Sequence, residues 1–226
     1  MVDSYLLTDA TGFPLAVQAF EGNKAETATM VPTLQAFMTA HRLSDITVVA
    51  DAGMLSEANM KAIEAAGLGF ILGNRIAHIP YAITEWRKQN PDADVPDGLT
   101  LTQPWPGGAN SSRRDQVIYY QYRADRARST LRGIDEQVGK AEKAVAGKVP
   151  VKRNRFITLT GGDKSVNREL ETKARTLAGW KSYITNITAP TSEFVIGAYH
   201  QLWRIEKSFR MSQARPASPT DLRPQA

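Results

Sequence analysis

Apolar and polar positions over residues 1–75 fall into blocks that read as five elements. In SYLLTDATGFPLAVQAF two apolar segments flank TDATGFP, whose Asp, Gly and Pro are turn residues, and a β-hairpin is predicted. Asn23, followed three residues later by Glu26, has the spacing of a capping box with Asn as the cap. Met30, Leu34, Phe37, Met38 and His41 then recur at helical spacing. ITVVA is a short continuous apolar run, as expected of a strand covered on both faces. SEANMKAIEAAG predicts a helix, with Ser56 as cap and Gly67 as stop, and LGFILG a second buried strand. The order hairpin, helix, strand, helix, strand implies a mixed sheet, an antiparallel pair followed by strands joined through helical crossovers.

The periodicity weakens beyond this point. Asn90–Arg114 is rich in Pro, Gly, Asn, Asp and Ser and predicts an irregular loop. QVIYYQYR and RFITLTGG have β-branched and aromatic residues at strand density and are expected to pair with each other in an insertion. Between them ADRARSTLRGIDEQVGKAEKAVAG predicts a highly charged helix with a thin apolar stripe. VNRELETKARTLAGW predicts a helix, GWKSYITNI a short strand, and Ser192–Met211 a long helix. The Pro-rich end, SQARPASPTDLRPQA, reads as disordered. There is no internal repeat.

Composition narrows the class. The 226 residues suffice for one large domain or a domain with an insertion. No cysteine is present, so disulfide frameworks and cysteine-ligated zinc are excluded. The first residues carry no basic segment followed by an apolar one, and no apolar run approaches bilayer-spanning length. The expectation is a soluble, unexported protein without a membrane partner. The net charge of +5 and a pI near 9.4 are compatible with nucleic acid but do not demand it.

Two carboxylates change the picture. Asp51 stops the ITVVA strand, at the C-terminal strand end where sites collect in open α/β sheets. A carboxylate there is either a turn-former or one leg of a metal site. Glu206 lies within the apolar stripe formed at about 100° per residue by Val195, Tyr199, Leu202 and Trp203. It either pairs with Arg210 at i+4 and reaches solvent, or is held by a cation, because burying an unpaired carboxylate is costly. Oxygen ligands on rigid elements suit Mg²⁺, which takes one or two carboxylates together with substrate phosphates. The expectation is that the side chains of Asp51 and Glu206 approach each other.

The segments TDATGFPLAVQAFEGNKAET, VVADAGMLSEAN and YHQLWRIEKSFRMS, in this order, resemble the DDE-type insertion-sequence transposases, in particular the insertion sequence family four group with its Tyr-Arg-Glu-Lys signature. The resemblance runs through most of the chain. Tyr199 matches the signature Tyr and Glu206 follows at the required seventh position. Leu202 stands at the Arg position, with Arg204 the nearest basic residue, and Gln213 stands at the Lys position.

The resemblance implies an α/β, ribonuclease H-like mixed sheet with flanking helices, interrupted by an inserted α+β subdomain. Residues 1–80 would be the first part of the catalytic core, 81–173 the insertion, 174–212 the final core segment with the signature helix, and 213–226 a disordered tail. The family's first catalytic Asp lies on a strand before the hairpin. Here Asp3 lies too close to the hairpin to belong to a separate strand and Asp9 falls in the predicted turn, so neither is assigned. The resemblance thus implies a transposase shortened at the N-terminus and the C-terminus, its first strand missing, and not expected to cut DNA. Asp51 and Glu206 would be catalytic, metal-holding residues for Mg²⁺, two ions in the intact family, with Mn²⁺ as a substitute. Tyr199, Lys207 and Arg210 would contact DNA near the scissile phosphate, and basic side chains of Arg123–Arg155 would track the backbone. The partner implied is double-stranded transposon-end DNA, with a homodimer left open and a cytoplasmic, nucleoid-associated location in a prokaryote. A non-catalytic DNA-binding or subunit-interfering remnant, and a basic scaffold with merely structural carboxylates, are the alternatives.

Overall fold

A computed structural model describes residues 2–8, 14–21, 26–43, 45–51, 57–105, 115–150, 153–160 and 163–202, with the backbone alone for 2–30, 57 and 59. Nine strands and six helices are found among the described residues. The hairpin is β1 (Val2–Thr8) and β2 (Pro14–Glu21), antiparallel, with Val2 opposite Glu21 and a register irregularity at Leu7/Thr8. Asp3 therefore lies on the hairpin's own first strand, opposite Phe20. Then follow α1 (Glu26–His41), β3 (Thr47–Ala50), α2 (Glu57–Ala65) and β4 (Gly69–Asn74), in the order expected. β3 and β4 are parallel, with Thr47 opposite Gly69 and Ala50 opposite Leu72.

Gly67 stops α2 as its position predicts. It has φ +79°, and the amides of Gly67 and Leu68 return to the carbonyls of Glu64 and Ile63 at 3.0 and 3.1 Å. These two hydrogen bonds satisfy carbonyls that a helix end otherwise leaves unpaired, at a φ that favours glycine. Asn23, Ser56, Asp9 and the tail 213–226 lie outside the described residues.

The middle of the chain departs from expectation. A helix, α3 (Tyr81–Gln89), follows Pro80, and a strand, β5 (Thr100–Trp105), stands inside the segment predicted to be loop. β5 is short, carries Pro104 and is flanked by Pro, Gly, Asn and Asp, so turn composition hid it. Proline is tolerated there because β5 ends the sheet, and an edge strand can lack a donor. β6 (Gln116–Tyr122) pairs antiparallel with β5, Leu101 opposite Tyr120. After α4 (Ala124–Val145), β7 (Ile157–Thr160) pairs with β8 (Asp163–Val166) in a separate two-stranded sheet. The expected pairing of QVIYYQYR with RFITLTGG is thus incorrect. β8 reads DKSV, too polar to register as a strand, yet it is β7's immediate neighbour in sequence and closes the locally cheaper hairpin. α5 (Arg168–Thr176), β9 (Trp180–Thr185) and α6 (Ser192–His200) complete the set. Five strands form a mixed sheet of order β3-β4-β9-β6-β5. No helix among the described residues is long and apolar enough to cross a membrane.

The chain divides into two compact units, Met1–Leu72 with Gly107–Arg114 and Thr185–Ala226, and Gly73–Pro106 with Asp115–Ile184. In the first, Leu34, Ile63, Phe70, Ile71, Leu72, Val195 and Ile196 are buried. The polar side chains of Thr185 and Asn186 are buried with them. Asn186 accepts from the amide of Phe70 at 2.8 Å and donates to the carbonyl of Leu68 at 3.1 Å, and the Thr185 hydroxyl donates to the carbonyl of Phe70 at 2.6 Å. Two side chains thus bond three backbone groups within an apolar interior.

In the second unit, Ile134, Val138 and Ala141 of α4 pack on Phe156, with Ile157, Val166, Leu170 and Ala174 around them. An ion-pair network lies over this core. Arg168 reaches Glu142 and Glu171, and Arg175 reaches Asp135 and Glu171, at 2.6–2.9 Å. The hydrogen bond from Arg168, then that from Arg175, holds the Glu171 carboxyl below its ordinary value of 4.5. Gly179 sits at φ +86° where a Cβ would fall 2.5 Å from the Tyr122 ring and 2.8 Å from Ala127. Glycine is required there both by backbone conformation and by space.

Two outcomes are expected. Asn186→Ala leaves the Phe70 amide and Leu68 carbonyl buried without that partner and should cost roughly 2–6 kcal/mol in a urea melt, at about 1–3 kcal/mol per stranded group. A cost under about 0.5 kcal/mol would show that the amide clamp is dispensable. Glu171 is one pH-sensitive member of the second unit. Because its folded pKa is lowered, its contribution to stability is present above 4.5 and drains away as pH falls through the lower folded value. The melting temperature should therefore decline on acidification below that point, and less steeply in Glu171→Gln.

Candidate metal and nucleic-acid site

The strand-end aspartate is built from the sheet outward. Ala50, the last residue of β3, is buried, and Asp51 follows it into solvent. The parallel neighbour β4 presents four successive buried residues, Phe70–Gly73, as a strand covered on both faces does. A carboxylate at this strand end is thus carried by a rigid element.

α6 supplies the second component. Thr191 caps it, its hydroxyl oxygen accepting from the Phe194 amide at 3.2 Å. Val195, Ile196 and Tyr199 form its buried face, and α6 packs on β3. Phe194 and Gly197 face outward. Burying a tyrosine ring requires a partner for its hydroxyl. Here the Tyr199 hydroxyl donates to Oδ1 of Asp51 at 2.6 Å, across 148 positions of sequence. That length is typical of an O–H donor on a charged carboxylate, the stronger class of hydrogen bond. Tyr199 is only 7% exposed whereas Asp51 is exposed, so a buried phenol steadies a solvent-facing carboxylate.

Two of the sequence-predicted site residues, Asp51 and Tyr199, therefore meet. Glu206, Lys207 and Arg210 lie outside the described residues, so the expected approach of Asp51 and Glu206 falls there as well. Among the described residues no three His, Cys, Asp or Glu side chains gather as a metal-holding group. The Tyr199–Asp51 bond itself was not foreseen. Its signal was present, since Tyr199 stood in the apolar arc of its helix, but a helical wheel does not say what a buried hydroxyl bonds.

The basic segment is sorted by its partners. Arg123 pairs with Asp97 and Asp125 at 3.3 and 3.7 Å, and Arg126 donates to the Gly179 carbonyl at 3.2 Å. Arg128, Arg132, Lys140 and Lys143 stand exposed along α4. Asp97 also accepts from the first amide of α4, that of Ala124, at 2.8 Å. The first basic residues of the segment thus hold the protein together, and the later ones face solvent.

The sequence model of the transposase DDE domain matches residues 5–215. The chain belongs to the transposase DDE domain family. Transposases act on DNA, and their DDE domains are generally dependent on divalent metal. No curated protein matches the chain.

The Thr191 cap tests how firmly α6 is set. Thr191→Ala removes the acceptor for the Phe194 amide and should cost about 1 kcal/mol of stability, read as a lowered urea midpoint at unchanged slope. An unchanged midpoint would mean that packing of Val195 and Ile196 alone fixes the helix start.

Proposed function

We propose that this chain is the core of a DDE transposase with a ribonuclease H-like fold, of the insertion sequence family four group, a group whose members cleave DNA and join strands with a divalent metal. The observation that supports this reading is the 2.6 Å bond between Tyr199 and Asp51, because it joins the two motif segments on which the chemistry would depend. Under this reading Asp51 and Glu206 are the metal-holding carboxylates. Residues 81–173 form the insertion between the two core parts, and Lys207 and Arg210 contact DNA. The donor chemistry fits a hard cation, since Asp51 is an exposed carboxylate oxygen donor on a strand end, as Mg²⁺ or Mn²⁺ prefers. Bound there, such a cation supplies Lewis-acid activation of a phosphoryl oxygen and of the attacking hydroxyl. The chain's own part is to orient: phosphoryl transfer asks little covalent chemistry of the protein and much positioning.

Only two carboxylates are assigned. Asp3, on β1 opposite Phe20, belongs to the hairpin rather than to a strand before it. We therefore expect this chain to bind duplex DNA without cutting it. The exposed Arg128, Arg132, Lys140 and Lys143 of α4 are the described residues suited to phosphate contact, and their binding should carry no base preference.

The reading is tested by duplex binding across a salt series, with supercoiled-plasmid nicking in Mg²⁺ and Mn²⁺ alongside. Affinity should fall with salt, and the double variant Arg128→Glu/Arg132→Glu should flatten the logarithmic slope by about 2, roughly 1 per phosphate contact. No nicking is expected. Metal-dependent nicking by the parent that Asp51→Ala and Glu206→Ala both lose would uphold the transposase chemistry and show that a third carboxylate exists. Absence of DNA binding even at low salt would overturn the reading.

A further inference from the structure

We infer that Tyr199 is a positioning residue for Asp51, its hydroxyl fixing the carboxylate in one orientation, rather than a residue that contacts DNA through that hydroxyl.

The argument begins with the donor inventory. A tyrosine hydroxyl has one proton to give and otherwise only accepts. A DNA phosphate offers acceptor oxygens and no donor. The Tyr199 proton lies on Oδ1 of Asp51 at 2.6 Å, so it cannot also lie on a phosphate. Contact with DNA through this hydroxyl would require the bond to Asp51 to break. Burial argues against that, because Tyr199 is 7% exposed and belongs to the same packed face of α6 as Val195 and Ile196. Moving the phenol outward would carry the ring out of the core.

The second part concerns what the bond does to the acceptor. Asp51 follows the last residue of β3 and its side chain faces solvent, where an aspartate ordinarily samples several staggered rotamers. A strong hydrogen bond from a ring that is itself locked by packing selects one of them. α6 is in turn set by Thr191 at its start and by its contact with β3. The carboxylate is thereby held by a chain of fixed parts: cap, helix face, ring, hydroxyl. Carboxylates that bind metals are commonly hydrogen-bonded in this way, and removing such an outer partner weakens metal binding by about 10–100-fold. That consequence for metal rests on the reading of Asp51 as a ligand; the positioning itself does not.

The experiment separates the two. In the metal-free full chain, the Hα–Hβ couplings of Asp51 measured by NMR should report one staggered rotamer. In Tyr199→Phe they should average, while Ile196→Val, which trims the same helix face and keeps the hydroxyl, should leave them as in the parent. Circular dichroism confirms that each variant is folded. Unaltered Asp51 couplings in Tyr199→Phe would overturn the inference whatever the metal does. A Mn²⁺ titration followed by electron paramagnetic resonance forms the second arm. Asp51→Asn should abolish binding and Tyr199→Phe should weaken it by about 10–100-fold. If Asp51→Asn binds Mn²⁺ as the parent does, or the parent binds none, the ligand reading fails while the couplings still decide the positioning. Loss of metal-free DNA affinity in Tyr199→Phe, with unchanged couplings, would return the residue to the DNA-contact role.

Discussion

The buried backbone of β4 is the constraint on which the site depends. A strand covered on both faces must satisfy every amide and carbonyl from within the protein, and at the Leu68–Phe70 end side chains take part. Asn186 serves there as a backbone surrogate, accepting from the Phe70 amide and donating to the Leu68 carbonyl, and Thr185 adds a donor to the Phe70 carbonyl. β3 takes its register from β4, residue for residue, and Asp51 takes its place from the end of β3. A polar pair far from Asp51 in sequence therefore helps to decide where its carboxylate stands.

Charge in the second unit is organised for cohesion before it is available for ligands. The formal surplus of +5 suggests a basic surface, but Arg168 and Arg175 are each shared between two carboxylates, and Arg123 lies between Asp97 and Asp125. Such exposed pairs contribute little individually to stability. Their effect here is to fix α5 against α4, through Glu142 and Asp135, above the Phe156 core. Cations engaged in this way are poor counterion-releasing contacts for a phosphate backbone, which is why the solvent-facing residues of α4 matter more than the count of basic residues.

The parts of the fold legible in the sequence were those in which local and non-local requirements agree. LGFILG is apolar throughout because both faces of β4 are covered, ITVVA keeps apolar residues beside it although β3 is a half-buried edge strand, and Gly67 marks a left-handed helix end that few other residues adopt cheaply. β5 and β8 were illegible for the opposite reason. TLTQPW and DKSV are half-exposed or exposed, so neither needs an apolar pattern, and each is made a strand by its partner. Without β8 in view, β7 had no local partner, and β6 was the tempting substitute. α3 was hidden similarly: it buries only Ile83 and lacks a side-chain cap.

The site was legible to the level of residue type and no further. An aspartate ending a buried strand and a tyrosine in an apolar helical arc were both visible, and each had an ordinary explanation. Oδ1 of Asp51 accepts from a hydroxyl 148 positions away, on an element packed against its own strand. Sequence could not have shown it, because a helical wheel places the ring and leaves open which acceptor a buried proton selects: a phosphate arriving from solvent, or a carboxylate already part of the fold. Since the phenol is buried with the apolar face of α6, the proton must be satisfied before any ligand arrives. A partner built into the chain is then required by folding itself, and the orientation of Asp51 follows as a by-product of burying Tyr199.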